Sequence, residues 1–319
     1  MKAYSFVLAA FLGIVAVCSC NKDRLGRLDP SDTPSPKEYI ISIGCGGEIT
    51  DVSVTDLTKA DESDDLYAIQ VFSSPAGGTG SKAAYAHGLF TTLQGLSIKL
   101  AEGYKYSFIV TLIKEGKTRL KHPGEKYYSP LGLKKVSSYP SISPEFIYES
   151  GDQYSDLGRG AAQITGMDGV PHYPNLDRYY GEYSDYVPTE GGKVTVDLKR
   201  TVFGLKVIAD GLTEGSLSIL MKDAPELVIT APATEIEDIF SFYNVKSAWA
   251  TEDYKENVSI SFNWTKPDGV VVPLVTQSFD FYRNKKTTIT VKVEENGIDT
   301  GLGVNADDTP IEEGDSYNI

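Results

Sequence analysis

The sequence holds few side chains of the kinds that carry out catalysis. Its imidazoles are His87, His122 and His172, and no two of them stand at the spacing of metal ligands. His172, which lies near Asp168, is the best acid/base candidate among them. The sequence has neither a Gly-x-Ser-x-Gly elbow nor a His-Glu-x-x-His motif, which are signatures of serine hydrolases and zinc proteases. We therefore predict no catalytic residues and no metal site.

Pairs of adjacent acidic residues are the other feature that could do chemistry, because a glycosidase needs two carboxylates. Adjacency along the chain does not set the separation across a cleft that such an enzyme requires. We interpret the pairs as solvated faces and turns, and we predict that the protein is not an enzyme. The pairs are Asp64-Asp65, Glu237-Asp238, Asp307-Asp308 and Glu312-Glu313.

One cysteine near the N-terminus is expected to receive lipid. Lys2 is followed by an uncharged apolar run from Tyr4 to Val17, which is too short to span a bilayer but typical of an export signal. The next residues resemble a bacterial lipobox, with two small residues before Cys20. The resemblance implies that residues 1–19 are a signal peptide and that Cys20 is acylated. The alternative is an ordinary cleaved signal. One acyl chain holds a protein to a membrane only marginally, whereas two or three hold it firmly.

The residues that follow this cysteine predict a tether and exclude some partners. Residues 20–37 are polar and rich in proline, so they cannot bury a core and are expected to extend away from the membrane. The formal net charge of −14 repels nucleic acid and anionic lipid. Cys45 would be alone in the mature form apart from the lipidated residue, so no disulfide is expected within the chain. No cofactor other than the covalent lipid is expected.

The rest of the chain predicts strands. Short stretches alternate between apolar and polar residues and are separated by Gly, Pro and Asp-Gly turns, and none keeps a 3.6-residue period. A helical turn is expected at residues 235–242. The pattern predicts an all-β protein of two antiparallel β-sandwiches, placed at residues 38–192 and 193–319. Expected strands are 39–43, 49–54, 66–72, 96–100, 104–113, 194–198, 203–209, 217–221, 227–229, 258–264, 270–274, 279–281 and 289–293.

A group of tyrosines stands out between residues 127 and 188, where prolines interrupt the pattern and loops are expected. Aromatic rings beside carboxylates are typical of surfaces that bind sugars or peptides. The alternative is a loop whose tyrosines lie on the sheet beneath it. The candidate ligand surface consists of Tyr173, Tyr179, Tyr180, Tyr183, Tyr186, Asp177, Glu182 and Asp185.

Three stretches carry a resemblance to a known family. They are DLYAIQV at residues 65–71, VDLKRTVFGLKV at 196–207 and FYRNKKTTITV at 281–291. In this order, and with the lipobox before them, they resemble the fimbrillin-like surface lipoproteins of Bacteroides and its relatives. The resemblance spans nearly the whole chain. It implies two transthyretin-like, Greek-key β-sandwiches and a role in assembly or adhesion at the outer membrane.

The resemblance also implies a route of assembly. In fimbrial members of that family a protease cuts after a basic residue near the end of the first strands, and a strand from a neighbouring subunit fills the emptied groove. Such strand addition pairs free N–H and C=O groups and places alternate side chains in pockets. Here Lys59 stands where arginine is usual. It is the candidate cleavage residue, with residues 39–54 as the removable strands and 308–319 as the donor.

The sequence therefore predicts a structural or adhesive fimbrillin-like lipoprotein, as a pilus subunit, tip or anchor that assembles by donor-strand exchange. Its expected location is the outer membrane, lipid-anchored and surface-exposed, or a fimbrium. Its expected partners are the membrane, through the lipid, other fimbrial subunits, and host or microbial surface ligands. The alternative is a surface lipoprotein that binds glycans or peptides through the loop of residues 173–186.

Overall fold

The computed structural model describes residues 36–48, 64–78, 80–135, 138–149, 151–293 and 302–311. Within them the chain forms strands joined by turns and loops, with two short α-helices. The strands are β1 (Glu38–Gly47), β2 (Leu66–Pro75), β3 (Ala83–Phe90), β4 (Ser97–Ala101), β5 (Tyr104–Ile113), β6 (Arg178–Tyr186), β7 (Lys193–Arg200), β8 (Val202–Asp210), β9 (Ser216–Met221), β10 (Leu227–Thr230), β11 (Glu235–Ser241), β12 (Lys255–Thr265), β13 (Val271–Tyr282), β14 (Lys285–Lys292) and β15 (Leu302–Pro310). The helices are α1 (Gly116–Arg119) and α2 (Val245–Ala250), and Pro123–Glu125 form a 3₁₀ turn.

Seven strands form the first sheet, in the order β3-β2-β5-β6-β7-β1-β4. Successive side chains of a strand point to opposite faces, and here every strand sends apolar side chains into one shared core, which Ile41, Phe108 and Val196 represent. β1 runs parallel to β7, while the other neighbours are antiparallel. The side chains of all seven strands therefore pack into one core, which the sheet encloses.

The outer face of this sheet is covered by the long connection between β5 and β6. Leu120, Leu131 and Ile164 of that connection pack with Ala68 and Tyr180 of the sheet in a second buried cluster. The connection has only isolated β-bridges outside α1 and the 3₁₀ turn, in agreement with the proline-interrupted sequence. Loops therefore bury apolar surface on one side of the first sheet.

The remaining strands form two four-stranded sheets, β10-β9-β12-β13 and β11-β8-β14-β15. They face each other across a core in which Phe203 and Val207 of β8 meet Ile260 and Phe262 of β12. β8 and β14 are parallel, as β1 and β7 are in the first sheet. Alternating side chains on two facing sheets form a sandwich core, so the all-β, sandwich-type class predicted from the sequence is confirmed.

Some predicted elements differ from the structure. Residues 235–241 form β11 instead of a helical turn, because they pair antiparallel with β8 along their whole length. Glu235 also lies 2.9 Å from Lys206 of β8, and Glu237 lies 3.4 Å from Lys286 of β14, the strand beyond β8. β3 was not among the expected strands, and β13 is one strand instead of two short ones. The strand expected at residues 49–54 lies outside the described residues.

The predicted domain boundaries, at residues 19, 37 and 192, stay predictions. From Pro36 onwards the chain forms one compact unit. β7 pairs in the first sheet, β8 begins the second set of sheets, and Thr201 between them is fully buried. No helix in the described part of the chain is long and apolar enough to cross a membrane.

Candidate functional site

β1 is an inner strand of the first sheet that is paired on both sides. Residues 38–42 pair antiparallel with β4, and residues 42–47 pair parallel with β7. The side chains of Ile41 and Ile43 are buried in the core, whereas Ile40 is 66% exposed. β1 is therefore held by main-chain hydrogen bonds on two edges and by two apolar side chains, and its removal would open a groove between β4 and β7.

The end of β1 is a tight approach of two main chains. Gly47 has a φ of 89°, in the region that favours glycine, and a Cβ added there would lie 2.5 Å from the carbonyl oxygen of Leu198. The N–H of Glu48 then donates to the same carbonyl at 2.9 Å. The glycine therefore allows the chain to turn while it stays bonded to β7.

We expect Gly47→Ala to lower the free energy of unfolding by about 1–3 kcal/mol, because the new side chain both strains φ and collides with β7. Urea denaturation of the two proteins measures the difference in the free energy of unfolding. The matched control is Gly44→Ala in the same strand, where an added Cβ would meet the flexible end of Lys193 at 3.6 Å. Equal effects of the two substitutions would contradict the assigned role of Gly47.

The outer edge of β4 is closed by tyrosine hydroxyls. Lys99 N–H donates to Tyr148 Oη at 2.9 Å, and Lys99 O accepts from Tyr85 Oη at 2.8 Å. Two residues on, Ala101 N–H donates to Tyr106 Oη at 2.8 Å. Burial raises the pKa of Tyr85 and Tyr106, which keeps their hydroxyls protonated. Edge groups that would otherwise invite another strand are therefore already bonded.

The opposite edge of the sheet, β3, is covered by the chain segment that also carries Tyr148. His87 N–H donates to Ile147 O at 3.0 Å, and Ile147 N–H donates to His87 O at 2.8 Å. Ser143 N–H donates to Leu89 O at 2.9 Å. Lys99 and Ala101 on one outer edge of the first sheet and His87 and Leu89 on the other are thus already bonded, so release of β1 would expose main-chain groups that another strand could pair with.

A network of charged groups fastens the end of β1 to the second set of sheets. Glu48 Oε1 and Oε2 accept hydrogen bonds from Arg283 Nη1 at 2.9 and 3.0 Å. Glu48 Oε2 also accepts from the main-chain N–H of Arg200 at 2.8 Å. Asp177 in turn accepts from Arg200 Nε and Nη2 at 2.8 and 2.9 Å. We call Glu48, Arg200, Arg283 and Asp177 the junction cluster.

The junction cluster joins two of the stretches that carry the family resemblance. Arg200 belongs to the stretch at 196–207 and Arg283 to the stretch at 281–291. The turn at Arg283 is set by Asn284, which has a φ of 55° and donates its N–H to Val202 O at 2.7 Å. The arginines and Glu48 had no role in the sequence prediction. The sequence feature that could have identified the two arginines is that both lie inside the stretches that carry the family resemblance.

The predicted ligand surface is not one surface. Residues 178–186 form β6, so the expected loop is wrong. The physical reason is that β6 lies between β5 and β7 and sends alternate rings to opposite faces of the sheet. Tyr179 is buried in the core of the first sheet, and Tyr180 packs on the other face, with its ring 5.8 Å from that of Trp249.

The other members of that predicted surface are also separated. Tyr173 packs against Phe203 in the sandwich core, with ring centroids 6.0 Å apart, and Asp177 belongs to the junction cluster. Glu182 accepts a hydrogen bond from Tyr180 Oη and pairs with Lys246 at 2.6 Å. At the end of β6, Tyr183 is 41% exposed, its ring is 6.3 Å from that of the half-buried Tyr186, and Asp185 is exposed.

The potential nucleophile and bases lie apart. Burial, with a contribution from Asp197, raises the pKa of Cys45 to about 12, so its thiol stays protonated at neutral pH. His87 is buried, which lowers its pKa. His172 stacks on Tyr243, with ring centroids 4.6 Å apart, and its Nδ1 is 3.6 Å from Asp223. Among the described residues, no group of three potential metal ligands comes together.

Several predicted site residues are not covered by the structure. Cys20 and Lys59 lie outside the described residues, so lipidation and cleavage stay predictions. Of the predicted donor, residues 308–310 belong to β15 and pair with β14, and Ile311 is buried beside Val202. Residues 312–319 lie outside the described part.

No family model matches the chain, and no curated protein matches it. Solved structures do. A presumed cell adhesion protein from Bacteroides eggerthii is 12% identical to this chain. The match covers 88% of this chain and 94% of that protein's chain, with a TM-score of 0.40. A tip fimbrial protein from Porphyromonas gingivalis, with a C-terminal truncation, is 12% identical over 82% and 96%, with a TM-score of 0.34. The fimbrial anchor protein of the same organism is 9% identical over 81% and 90%, with a TM-score of 0.33. These names agree with the family that the sequence resembles.

Proposed function

We propose that the chain is a structural or adhesive fimbrillin-like lipoprotein that assembles by strand exchange at β1. The observation that supports this most directly is the position of β1. It is an inner strand between β4 and β7, whereas Lys99 and Ala101 of the outer strand β4 and His87 and Leu89 of the outer strand β3 are already bonded to other parts of the chain. Departure of an inner strand exposes main-chain groups on both of its neighbours, and these can pair with a new strand.

The position of β1 in the sequence supports the same function. β1 ends at Gly47, and the candidate cleavage residue Lys59 follows before β2 begins at Leu66. A cut at Lys59 would leave β1 attached to the tether and to Cys20, and separate it covalently from the rest of the sheet. The segment would then be held without a covalent link, by main-chain hydrogen bonds, by the burial of Ile41 and Ile43, and by the contacts of Glu48 in the junction cluster.

The lipid gives the proposed location. Acylation of Cys20 would anchor the precursor in the outer membrane, with other fimbrial subunits as partners and a surface or fimbrial position. Metabolic labelling with a fatty acid tests the anchor, and label that persists in a Cys20→Ser variant would contradict it.

The function is tested by digesting the purified full-length chain with an Arg/Lys-specific protease. We expect cleavage at Lys59 and, with time, a ladder of SDS-resistant oligomers on gels. The matched control is Lys59→Gln, which should stay intact at this position and give no ladder. Complete cleavage at Lys59 without oligomers, while circular dichroism shows the sheets intact, would overturn assembly by strand exchange.

A further inference from the structure

Glu48 is supplied by the segment whose release the proposed function requires. It lies on the N-terminal side of Lys59, so a chain that is cut there and loses β1 also loses Glu48. In the intact chain the Arg283 side chain is only 6% exposed, and its Nη1 also donates to Arg200 O at 3.2 Å. The main-chain N–H of Arg200, which donates to Glu48 in the intact chain, also loses its acceptor.

The neighbouring carboxylates do not replace Glu48. Asp177 already uses both oxygens on Arg200. Glu252 approaches Arg283 Nη2 at 3.6 Å, but its side chain is 76% exposed, and water weakens such a pair. A strand that covers Arg283 again without bringing a carboxylate would bury the cation with the carbonyl of Arg200 and no anion nearer than the exposed Glu252, which is costly. The emptied groove would therefore select a strand that brings its own carboxylate to this point.

Gly47 adds a steric requirement next to this electrostatic one. Its positive φ and the 2.5 Å that would separate an added Cβ from Leu198 O leave space for glycine alone. The residue before the carboxylate must therefore be glycine if the strand is to follow β7 as β1 does. Further back, the buried sites of Ile41 and Ile43 require apolar side chains two residues apart.

We infer that the junction cluster selects which strand can replace β1, by requiring a carboxylate at the position of Glu48. The partner is a segment of another protein chain with two apolar residues two positions apart, followed by a glycine and an acidic residue at the position of Glu48. The inference rests on the proposed strand exchange and adds to it the chemistry that decides which strand is accepted.

The test uses full-length protein with a unique protease site in place of residues 57–60, so that β1 can be cut free without reliance on Lys59. A labelled peptide of residues 36–50, blocked at both ends and kept reduced, competes for the groove of the cut protein. Its uptake is compared with that of the same peptide carrying Glu48→Gln. We expect the Gln peptide to bind at least about 30-fold more weakly, because it leaves a buried charge without its partner.

The chain variant Arg283→Met completes the comparison, since the preference for Glu over Gln should then disappear. If this variant does not fold, the inference is still tested by comparing the binding of the two peptides to the chain with Arg283 unchanged. Equal binding of both peptides to that chain would overturn the inference and leave strand exchange standing. Failure of both peptides to enter the cut protein would overturn strand exchange itself, and the inference with it.

Discussion

Arg178→Met is expected to lower the free energy of unfolding by about 3 kcal/mol. The Arg178 side chain is fully buried and donates to Thr111 Oγ1 at 2.9 Å, Arg159 O at 2.6 Å and Leu157 O at 2.7 Å. Burial lowers its pKa to about 10, so it remains charged at neutral pH. Methionine fills similar space but leaves two buried carbonyls and a hydroxyl without their donor.

The energy of this substitution has two parts of opposite sign. Each hydrogen bond to a charged group contributes about 1.5–3 kcal/mol, while removal of a buried charge returns some of its desolvation cost. The hydrogen bonds outweigh the desolvation here because the guanidinium holds residues 157–159 of the covering connection against β6. Loss of these bonds loosens the connection as well as the strand.

Urea denaturation followed by far-UV circular dichroism measures the change, with Lys222→Met as the control. Lys222 is exposed, so its replacement removes a cation without unpairing a buried group and should change stability by less than about 0.5 kcal/mol. A loss below about 1 kcal/mol for Arg178→Met would show that the connection is held by its apolar contacts.

The second large effect is expected in the sandwich core, where Phe203→Ala should cost about 3–5 kcal/mol. The Phe203 ring lies 5.7 Å from that of Phe240, 5.0 Å from that of Phe242 and 4.5 Å from that of Phe281. Alanine leaves a cavity that these rings cannot all collapse into, because each is fixed on a different part of the sandwich.

The measurement is again a urea transition, here followed by the fluorescence of Trp264, which is buried in the same core. Trp249 packs against the first sheet instead, so Trp249→Phe is used as the common background. Val228→Ala is the control, since that side chain is 43% exposed on β10. A cost for Phe203→Ala no larger than that of the control would contradict its central place in the core.

The sequence predicted best those strands whose own residues encode the period of two. β4 was expected at residues 96–100 and lies at Ser97–Ala101, and β12 contains the alternation of Val258, Ile260 and Phe262. β11 could not be predicted in this way, because the partners of its carboxylates are Lys206 and Lys286 on other strands. Its stability as a strand depends on neighbours that the local pattern does not contain.

The site was less accessible than the strands for the same reason. Glu48 and Arg283 are separated by 235 positions in the sequence, and neither stands out beside its local neighbours. The tyrosines of β6 led to the prediction of one ligand surface, because they lie close together in the sequence. Alternation along a strand instead places Tyr179 and Tyr180 on different faces of the sheet. The prediction of a loop does not contain this alternation.

The covered edges of the first sheet have a consequence for how this chain behaves at high concentration. Under the proposed anchoring, molecules would lie side by side at a membrane and meet often, and exposed strand edges would then pair indiscriminately into aggregates. Tyr85, Tyr106 and Tyr148 bond to the edge of β4, and residues 143–147 bond to that of β3, so Lys99, Ala101, His87 and Leu89 are not available to a passing copy. Elsewhere Pro273 interrupts the outermost strand β13, where a missing N–H hinders pairing. These bonds would oppose pairing between crowded molecules until the proposed cleavage frees the position of β1 in one of them.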